Sequence, residues 1–451
     1  MQLRILAVGA IVFAATLPAV ADPPAPPQGD AEQRELNDRK IESAGIRKLT
    51  GKHLILVTDV PSSPEIDRLP AVFDAAVPLW AEYFGVDLKK TERWQARGYL
   101  MGERRRFESL GLLPPGHADF QNGISMGAEF WWLDQPTAYY RRHLMLHEGT
   151  HVFMVSFLGG CGPGWYMEGI AELFATHRLD EQSGELSMRI MPESREEVPM
   201  LGRIKLIRDA VAAEHILTLP EVMKLDNREQ LGNEAYAWCW AAAKLLDTHP
   251  RYRQRFHSLY ESVLDPQFND RFRHVFENDW QNLNAEWQAY IAALDHGYDF
   301  DRMAVDFRSG EPASAGSARA TIASDQGWQS TGIRLETGHA YKVTAAGRYQ
   351  IATEKTEAGV KPWPCEPGGV TVEYHDGHPL GMLLGAVIPA AEFPPTAPMT
   401  FAHPIAIGLE ATIKPAASGT LYLRVNDSAA NVEDNRGSLS VRVQQAASEG
   451  K

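Results

Sequence analysis

The chain has 451 residues, a formal net charge of −14 and a 44% share of apolar residues, which is ordinary for a globular protein. This length is enough for two or three domains with full hydrophobic cores. The negative charge argues against nucleic acid as a partner, because surfaces that bind nucleic acid are normally basic. Three cysteines are too few for a disulfide scaffold, but one pair could form in an oxidising compartment, and we expect it to join Cys161 and Cys239.

The first residues have the pattern of a cleaved secretion signal. Arg4 precedes an apolar run over residues 5–20, and Ala19-Val20-Ala21 is the small-x-small pattern of a signal peptidase site. The run is too short for a comfortable membrane span, and no later stretch reaches about 18 apolar residues. We therefore predict a signal peptide over residues 1–21 and a secreted or periplasmic mature chain without a membrane span. An uncleaved anchor is the alternative.

The next segments lead into a region that mixes strands and helices. Residues 22–48 are Pro-rich and then charged, which indicates a leader or linker, with a pro-segment as the alternative. The elements predicted after it are a strand at residues 53–58, a helix at 64–83, a strand at 98–101, a short helix at 103–110 and an edge strand within 122–130. This mixture predicts an α+β domain over residues 49–300.

The strongest motif is His147-Glu148-Gly149-Thr150-His151, which is followed by Glu168-Gly169-Ile170-Ala171-Glu172. Residues 139–146 contain no Gly or Pro, so the first block falls on a predicted helix. Two helix residues four positions apart lie on the same face, so both imidazoles can reach one tetrahedral zinc ion. Glu148 would then lie beside the metal, where it can handle a proton. The second block falls on another predicted helix after a glycine-rich loop.

Together the two blocks resemble the gluzincin metallopeptidases, whose zinc is held by two helix histidines and a glutamate from a following helix. The resemblance implies that the zinc ligands are His147, His151 and Glu168. It also implies that Glu148 is the general base and that Glu172 orients His147 from behind. The predicted edge strand would bind extended substrate backbone. The alternative interpretation is a buried amphipathic helix with ordinary polar residues.

The ligand set predicts peptide hydrolysis. Three protein ligands would leave one zinc position for water, and Glu148 would take the proton of that water and deliver it to the leaving amine. Many gluzincins use a Tyr or His later in the chain to donate a hydrogen bond to the oxyanion, and Tyr236 is the candidate here; the alternative is a core aromatic. The remaining histidines of this region are interpreted as ordinary core or surface residues, namely His143, His177, His215, His249 and His257.

Helical patterns end before residue 305, and strand patterns follow. The later helices are predicted at residues 199–215, 220–225, 233–247, 251–264 and 284–294. Eight short strands are predicted at residues 318–322, 329–335, 340–346, 370–374, 385–388, 406–413, 420–425 and 439–443. Strands of this length and spacing predict an all-β sandwich over residues 312–447.

This second region resembles the PA-I-like galactose-binding lectin family, most specifically in residues 426–438. The resemblance implies a calcium site formed by a backbone carbonyl near Ile351 and by side chains of Asp427, Asn431, Asp434 and Asn435. Such oxygens are hard ligands that suit calcium. The alternative is a solvated turn between two strands. The sugar-contacting His and Gln of the family have no counterpart around residues 365–369, so a calcium site is expected more than galactose binding.

The sequence therefore predicts a multidomain protein, with an α+β gluzincin-like catalytic domain followed by an all-β, lectin-like sandwich. As a zinc metallopeptidase it would act on a peptide or protein substrate, and the accessory domain would hold it near a glycan or glycoprotein. The alternative is a catalytically silent surface-binding protein that keeps the gluzincin scaffold. A decayed site usually loses a ligand, whereas all four expected residues are present. A zinc hydrolase of another amide or ester is a further alternative.

Overall fold

The computed structural model describes residues 36–114, 116, 119–225, 232–313, 317–356, 359–389 and 400–446. The predicted signal peptide and most of the predicted leader lie outside the described residues. In chain order, the α-helices are α1 (Asp38–Ser43), α2 (Pro64–Asp67), α3 (Leu69–Tyr83), α4 (Leu88–Thr91), α5 (Arg104–Ser109), α6 (Ala138–Leu158), α7 (Gly164–Ala175), α8 (Arg203–Ala212), α9 (Leu219–Val222), α10 (Asn233–Thr248), α11 (Arg253–His257), α12 (Phe268–Val275), α13 (Trp280–Ala293) and α14 (Phe300–Met303).

The strands fall into an early group and a long later series. They are β1 (Arg47–Thr50), β2 (Leu54–Thr58), β3 (Ala96–Met101), β4 (Gly123–Met126), β5 (Glu129–Leu133), β6 (His177–Leu179), β7 (Leu186–Met188), β8 (Glu311–Pro312), β9 (Ser317–Ala323), β10 (Gln329–Leu335), β11 (Tyr341–Ala346), β12 (Tyr349–Thr356), β13 (Gly359–Cys365), β14 (Val370–His375), β15 (His378–Leu380), β16 (Leu383–Pro389), β17 (Ile405–Ala406), β18 (Glu410–Ile413), β19 (Gly419–Val425) and β20 (Ser438–Gln445). The chain is thus a mainly helical part followed by a β-rich part.

The first part contains a five-stranded sheet with the strand order β1-β2-β3-β5-β4. Strands β2, β3 and β5 are parallel, and the two edge strands β1 and β4 are antiparallel to their neighbours. Alternate residues of β2 point to opposite faces: Leu54 and Leu56 join the main core with α3 and α6, and Val57 joins a smaller core on the other face. This arrangement places α6 against the edge strand β4.

Some predicted elements are divided differently in the structure. The edge strand predicted within residues 122–130 is part of a hairpin of β4 and β5, because Gly127 has a φ of +61° and reverses the chain. Residues 36–48 of the predicted leader are folded: β1 pairs with β2, and Ile41 and Ile46 are buried. Helix α12 was not predicted. The strand predicted at residues 406–413 is interrupted at Gly408, where φ is +57°.

The β-rich part contains two facing sheets. One has the order β17-β16-β19-β10-β8, and the other has the order β18-β11-β20-β9. Side chains from both sheets form one apolar cluster, to which β19 contributes Leu421 and Leu423, and β20 contributes Val441 and Val443. Two sheets that bury their inner faces against each other form a sandwich. The hairpin of β12 and β13 was not predicted; its second strand lacks the alternating pattern.

The helical and β-rich parts share buried surface and belong to one compact unit. Ala429 and Val432 join the main helical core, and the backbone N–H of Asp299 donates a hydrogen bond to the carbonyl of Ala429 at 3.0 Å. The carboxylate of Glu286 on α13 accepts from the N–H of Val305 at 3.1 and 3.2 Å. These contacts hold the connection between the two parts in place.

Two further predictions concern the cysteines and the membrane. The expected pair of Cys161 and Cys239 is wrong, because all three cysteines are free thiols. Cys239 is buried on α10, whereas the thiol of Cys161 lies 3.7 Å from the carbonyl oxygen of His151. None of the helices in the described part of the chain is long and apolar enough to cross a membrane.

Candidate metal centre

Three potential ligand atoms converge between α6 and α7. Nε2 of His147 lies 3.2 Å from Nε2 of His151 and 3.2 Å from Oε2 of Glu168. Nε2 of His151 lies 3.5 Å from the same carboxylate oxygen. In a tetrahedral site whose bonds are about 2.0–2.1 Å long, neighbouring ligand atoms are about 3.3–3.4 Å apart. The triangle therefore has the dimensions that one small tetrahedral ion requires.

Local sequence explains how the two helices present these atoms. The side chain of Thr137 caps the start of α6 by accepting from the N–H of Tyr140 at 3.2 Å. The helix ends at Gly159, whose φ of +80° is the left-handed conformation that favours glycine. Gly162 adds a second residue with positive φ, and the chain reverses into α7. Glu168 on α7 is thereby brought to the two histidines on α6.

The protein alone does not satisfy every polar atom of this cluster. Oε2 of Glu168 is buried, and although two Nε2 atoms lie 3.2 and 3.5 Å away, no described residue forms a hydrogen bond of good geometry with it. A buried acceptor without a partner costs about 1–3 kcal/mol. A cation at the centre of the triangle would supply that partner, and the imidazole and carboxylate donor set suits a transition metal. The residues present therefore fit a bound metal ion.

Charges at the centre are strongly coupled. Burial alone would lower the pKa of His147, but the carboxylates of Glu168 and Glu172 outweigh it and raise the pKa to about 9. Burial would also raise the pKa of Glu168, yet the two histidines bring it down to about 2. Without metal, Glu168 is thus ionised beside protonated imidazole, and a metal ion would replace that proton.

A buried ion pair lies behind His147. Nδ1 of His147 is 3.2 Å from Oε1 of Glu172. Arg203 on α8 donates to both oxygens of Glu172, from Nη2 at 2.8 Å and from Nε at 2.9 Å. Nε2 of His143 lies 3.4 Å from the same carboxylate, on the side away from the triangle. Glu172 is therefore fixed by a permanent cation while it faces the far nitrogen of His147.

A second group of possible metal ligands, His143, His147 and Glu172, overlaps this network. Both oxygens of Glu172 already accept from Arg203, whose guanidinium stays protonated at any ordinary pH. A second metal ion would have to sit beside that positive charge and share His147 with the first. The geometry therefore favours a single ion in the triangle of His147, His151 and Glu168.

Glu148 lies next to the triangle and against the edge strand β4. Its side chain is buried, and a Cβ added to Gly123 on β4 would lie 2.6 Å from Oε1 of Glu148. Burial raises the pKa of Glu148, whereas His147 and His151 act to lower it. The carboxylate is thus held between the metal triangle and the only free edge on that side of the described sheet.

Tyr236 reaches the same site from α10. Its ring lies 6.0 Å from the imidazole of His147 in an edge-on arrangement, and the Arg203 guanidinium lies 5.5 Å from the ring centre. Burial, followed by the carboxylates of Glu168 and Glu148, raises the pKa of the tyrosine. The hydroxyl therefore stays protonated and can act as a hydrogen-bond donor.

Sequence reasoning missed three residues of this site: His143, Arg203 and Gly123. For His143 a signal existed, since it precedes His147 by four positions and so lies on the same helix face. The sequence alone favours an ordinary core or surface residue at this position. Arg203 lies in a predicted helix, but no spacing rule connects it to the motif. Gly123 lies in a predicted edge strand, and only the structure brings it to Glu148.

In the loop predicted to bind calcium, some of the predicted ligand oxygens already accept hydrogen bonds and others do not. Nδ2 of Asn435 donates to Oδ2 of Asp427 at 2.9 Å, and Oδ2 of Asp434 accepts from the N–H and hydroxyl of Thr353 at 3.0 and 3.1 Å. Oδ1 of Asp434 and Oδ1 of Asn435 are buried and have no partner among the residues described. The side chain of Asn431 is exposed. Two buried oxygens are thus without a donor, one on Asn435, which is hydrogen-bonded to Asp427, and one on Asp434, which is hydrogen-bonded to Thr353.

Neither protein-family models nor curated proteins match this chain. Among solved structures, it is similar to the N-terminal domain of EclA, described as a PllA-like lectin, with 18% sequence identity. That similarity covers 29% of this chain and 98% of the other, with a TM-score of 0.22. So low a TM-score carries no argument about fold or function, so the site has to be interpreted from its own geometry.

Proposed function

We propose that this protein is a zinc-dependent hydrolase of the gluzincin type that cleaves peptide bonds. The observation that carries the proposal is the triangle of two Nε2 atoms and one carboxylate oxygen, with sides of 3.2, 3.2 and 3.5 Å. Glu148 adds a carboxylate beside this triangle that is not one of its members. A metal triad with an adjacent free carboxylate is the arrangement that hydrolysis of an amide needs.

His147, His151 and Glu168 would hold the zinc ion. Zinc, when bound, supplies Lewis acidity: it lowers the pKa of a water molecule and polarises a carbonyl group. Glu148 would accept the proton of the attacking water and deliver it to the leaving nitrogen. Tyr236, kept protonated by burial and by nearby carboxylates, would donate a hydrogen bond to the developing oxyanion.

Strand β4 supports a peptide as the substrate. It is an edge strand of the five-stranded sheet and pairs on one side only, with β5. The free edge of such a strand can pair with an extended peptide through backbone hydrogen bonds. Gly123 of this strand is in contact with Glu148, so a peptide along the edge would pass directly beside the catalytic carboxylate.

The test is metal analysis followed by a peptidase assay on the purified chain. We expect one zinc per chain by mass spectrometry, lost in His147→Ala and kept in His339→Ala, an exposed histidine of the β-rich part. Glu148→Gln should keep zinc and lose most turnover of mixed peptides, while the exposed Glu108→Gln should change neither.

Each result bears on a different alternative. If the chain binds zinc and cleaves another amide or ester but no peptide, the proposed metal site stands and the proposed substrate class changes. Full turnover in Glu148→Gln would remove Glu148 from the role of base. If no zinc binds even after reconstitution, the chain is better interpreted as a catalytically silent surface-binding protein.

For the β-rich part we propose a calcium site in the loop that contains Asp427, Asp434 and Asn435. The two buried, unpartnered oxygens of Asp434 and Asn435 support it, because oxygen ligands without donors suit a hard cation. In this proposal the part serves as an accessory domain that holds the enzyme near a glycan or glycoprotein. Glycan binding that never exceeds background, with or without calcium, would exclude that accessory role.

A further inference from the structure

A cleft of about 530 Å³ lies between the helical part and the β-rich part, and none of the proposed metal ligands lines it. One wall is formed by the ends of α8 and α13, including Ala212 and Ala289, and the other by the β-rich part, including Trp328, Phe401 and Arg424. Pockets that bind small ligands typically have about 300–1,000 Å³ of space. The cleft is therefore large enough for a small molecule.

Alternation along β19 explains why a charged residue lies in this cleft. Leu421, Leu423 and Val425 point into the core of the sandwich. Tyr422 and Arg424 point to the opposite face, which in an isolated sandwich would meet water. Here that face is covered by α13, since Tyr422 packs in one cluster with Ala285 and Ala289. The guanidinium of Arg424 is consequently buried.

Arg424 has no counter-ion of its own. Its residue is only 6% exposed, Nε has no hydrogen-bond partner, and the guanidinium forms no ion pair with any residue that the structure describes. Its Cζ lies 5.4 Å from the centre of the Trp328 ring. A buried charge without a partner is costly, and an arginine does not relieve the cost by losing its proton.

The acidic groups of the cleft have basic partners already. Asp295 is paired with Arg208, and Oδ2 of Asp376 lies 3.2 Å from Nε2 of His375. Asp376 and Asp427 act on Arg424 through space but form no ion pair with it. The cleft also contains His378 and His403, which are further potential donors. The cleft thus contains one buried guanidinium that forms no ion pair with a described residue, with additional donors around it.

Asn426 adds an unsatisfied acceptor next to Arg424. Its Nδ2 donates to the carbonyls of His375, His378 and Pro379 at 2.9, 3.1 and 3.1 Å. Its Oδ1 is buried and has no donor among the described residues. A ligand hydroxyl could supply that donor. One ligand that carries an anionic group and a hydroxyl could therefore pair with both unsatisfied side chains.

We propose that this cleft is a binding site for a small ligand that carries an oxyanion, either a carboxylate or a phosphate, which pairs with the guanidinium of Arg424. The planar fork of arginine matches two oxygens of either group. The site is separate from the metal centre, so it neither requires nor supports the peptidase proposal.

Calorimetry on the full chain at fixed ionic strength tests this site with three probes: inorganic phosphate, glucuronate, and glucose as the neutral match of glucuronate. We expect phosphate or glucuronate to bind and glucose not to bind. Whichever anion binds more tightly identifies the class of ligand. Binding should persist in His147→Ala, because phosphate held only by zinc would be lost there.

Variants locate the site. Arg424→Met should raise the Kd of the anion about ten- to a hundredfold, as expected for loss of charged hydrogen bonds. The exposed Arg442→Gln, on β20 of the same part, should leave it unchanged. Ala212→Glu places a negative charge at the exposed rim and should weaken binding even if Arg424→Met fails to fold. No anion binding by the unmodified chain, equal binding of glucose, or unchanged affinity in Ala212→Glu would overturn the proposal.

Discussion

Replacement of Arg203 tests whether the proposed zinc centre depends on the ion pair behind it. Arg203 and Glu172 are 7% and 2% exposed, and two hydrogen bonds of 2.8 and 2.9 Å join them. Arg203→Met would leave the Glu172 carboxylate buried without its cation, which typically costs about 3–5 kcal/mol of stability. The freed carboxylate would no longer be held against Nδ1 of His147. Loss of such an outer contact lowers metal affinity about 10–100-fold.

The assay is competition for zinc with a chelator of known affinity, at a temperature where circular dichroism shows each variant to be folded. Arg208→Met is the matched control, since it lies on the same helix but forms an exposed pair with Asp295. An exposed ion pair contributes at most about 1 kcal/mol to stability. The pair of Arg208 and Asp295 has no contact with the proposed zinc ligands. The zinc affinity of Arg203→Lys should lie between those of Arg203→Met and Arg208→Met, because an ammonium keeps the positive charge but cannot donate two parallel hydrogen bonds to the carboxylate.

A double variant separates orientation of the histidine from general stability. In Arg203→Met with Glu172→Gln, neither partner leaves an unpaired charge, so the combined loss of stability should be smaller than the sum of the two single losses. Zinc affinity should stay low, because the amide that replaces the carboxylate is neutral and is no longer fixed by Arg203, so it orients His147 less firmly. If folded Arg203→Met binds zinc as tightly as the unmodified chain, the network does not position the ligand and the reasoning is refuted.

The remaining predictions concern the two metals. Glu168→Ala should lower zinc affinity more than Glu172→Ala does, because only Glu168 contributes an atom to the triangle; equal losses in chelator competition would contradict that assignment. Calcium should raise the melting temperature of the chain, and Asp427→Ala should abolish that rise, because Asp427 is hydrogen-bonded to Asn435, which carries one of the two unpartnered oxygens. A rise that persists in this variant would place calcium elsewhere.

The sequence predicted those features that depend on local spacing. His147 and His151 could be placed on one helix face because a four-residue interval has a fixed geometry, and the β-rich part could be placed from its alternating pattern. Contacts between residues that are far apart in the sequence could not be predicted in this way. Arg203 lies 31 positions after Glu172, and their contact depends on how α7, α8 and α10 pack. Strand β13 is mostly exposed, so it lacks the alternation by which strands are predicted.

The glycines near the site have distinct physical roles, and their replacement by alanine separates folding from catalysis. A Cβ at Gly169 would lie 2.8 Å from the backbone oxygen of Cys239, so α7 and α10 would have to move apart. Such overpacking costs about 1–3 kcal/mol. A Cβ at Gly123 would instead meet the Glu148 side chain, 2.6 Å from Oε1 and 3.0 Å from Cγ, so that side chain rather than a helix would have to move.

Moving that carboxylate should nevertheless impair the reaction, because a displacement of about 1 Å at a reacting group can reduce the rate about a hundredfold. Gly123→Ala should therefore keep its melting temperature and zinc content and lose turnover. Gly169→Ala should instead have a lower melting temperature. If Gly123→Ala turns over peptides normally, then either Glu148 is not the base or substrate does not approach along β4. The double variant Gly123→Ala with Glu148→Gln distinguishes these, since Gly123→Ala should have no additional effect on turnover if it acts only through Glu148.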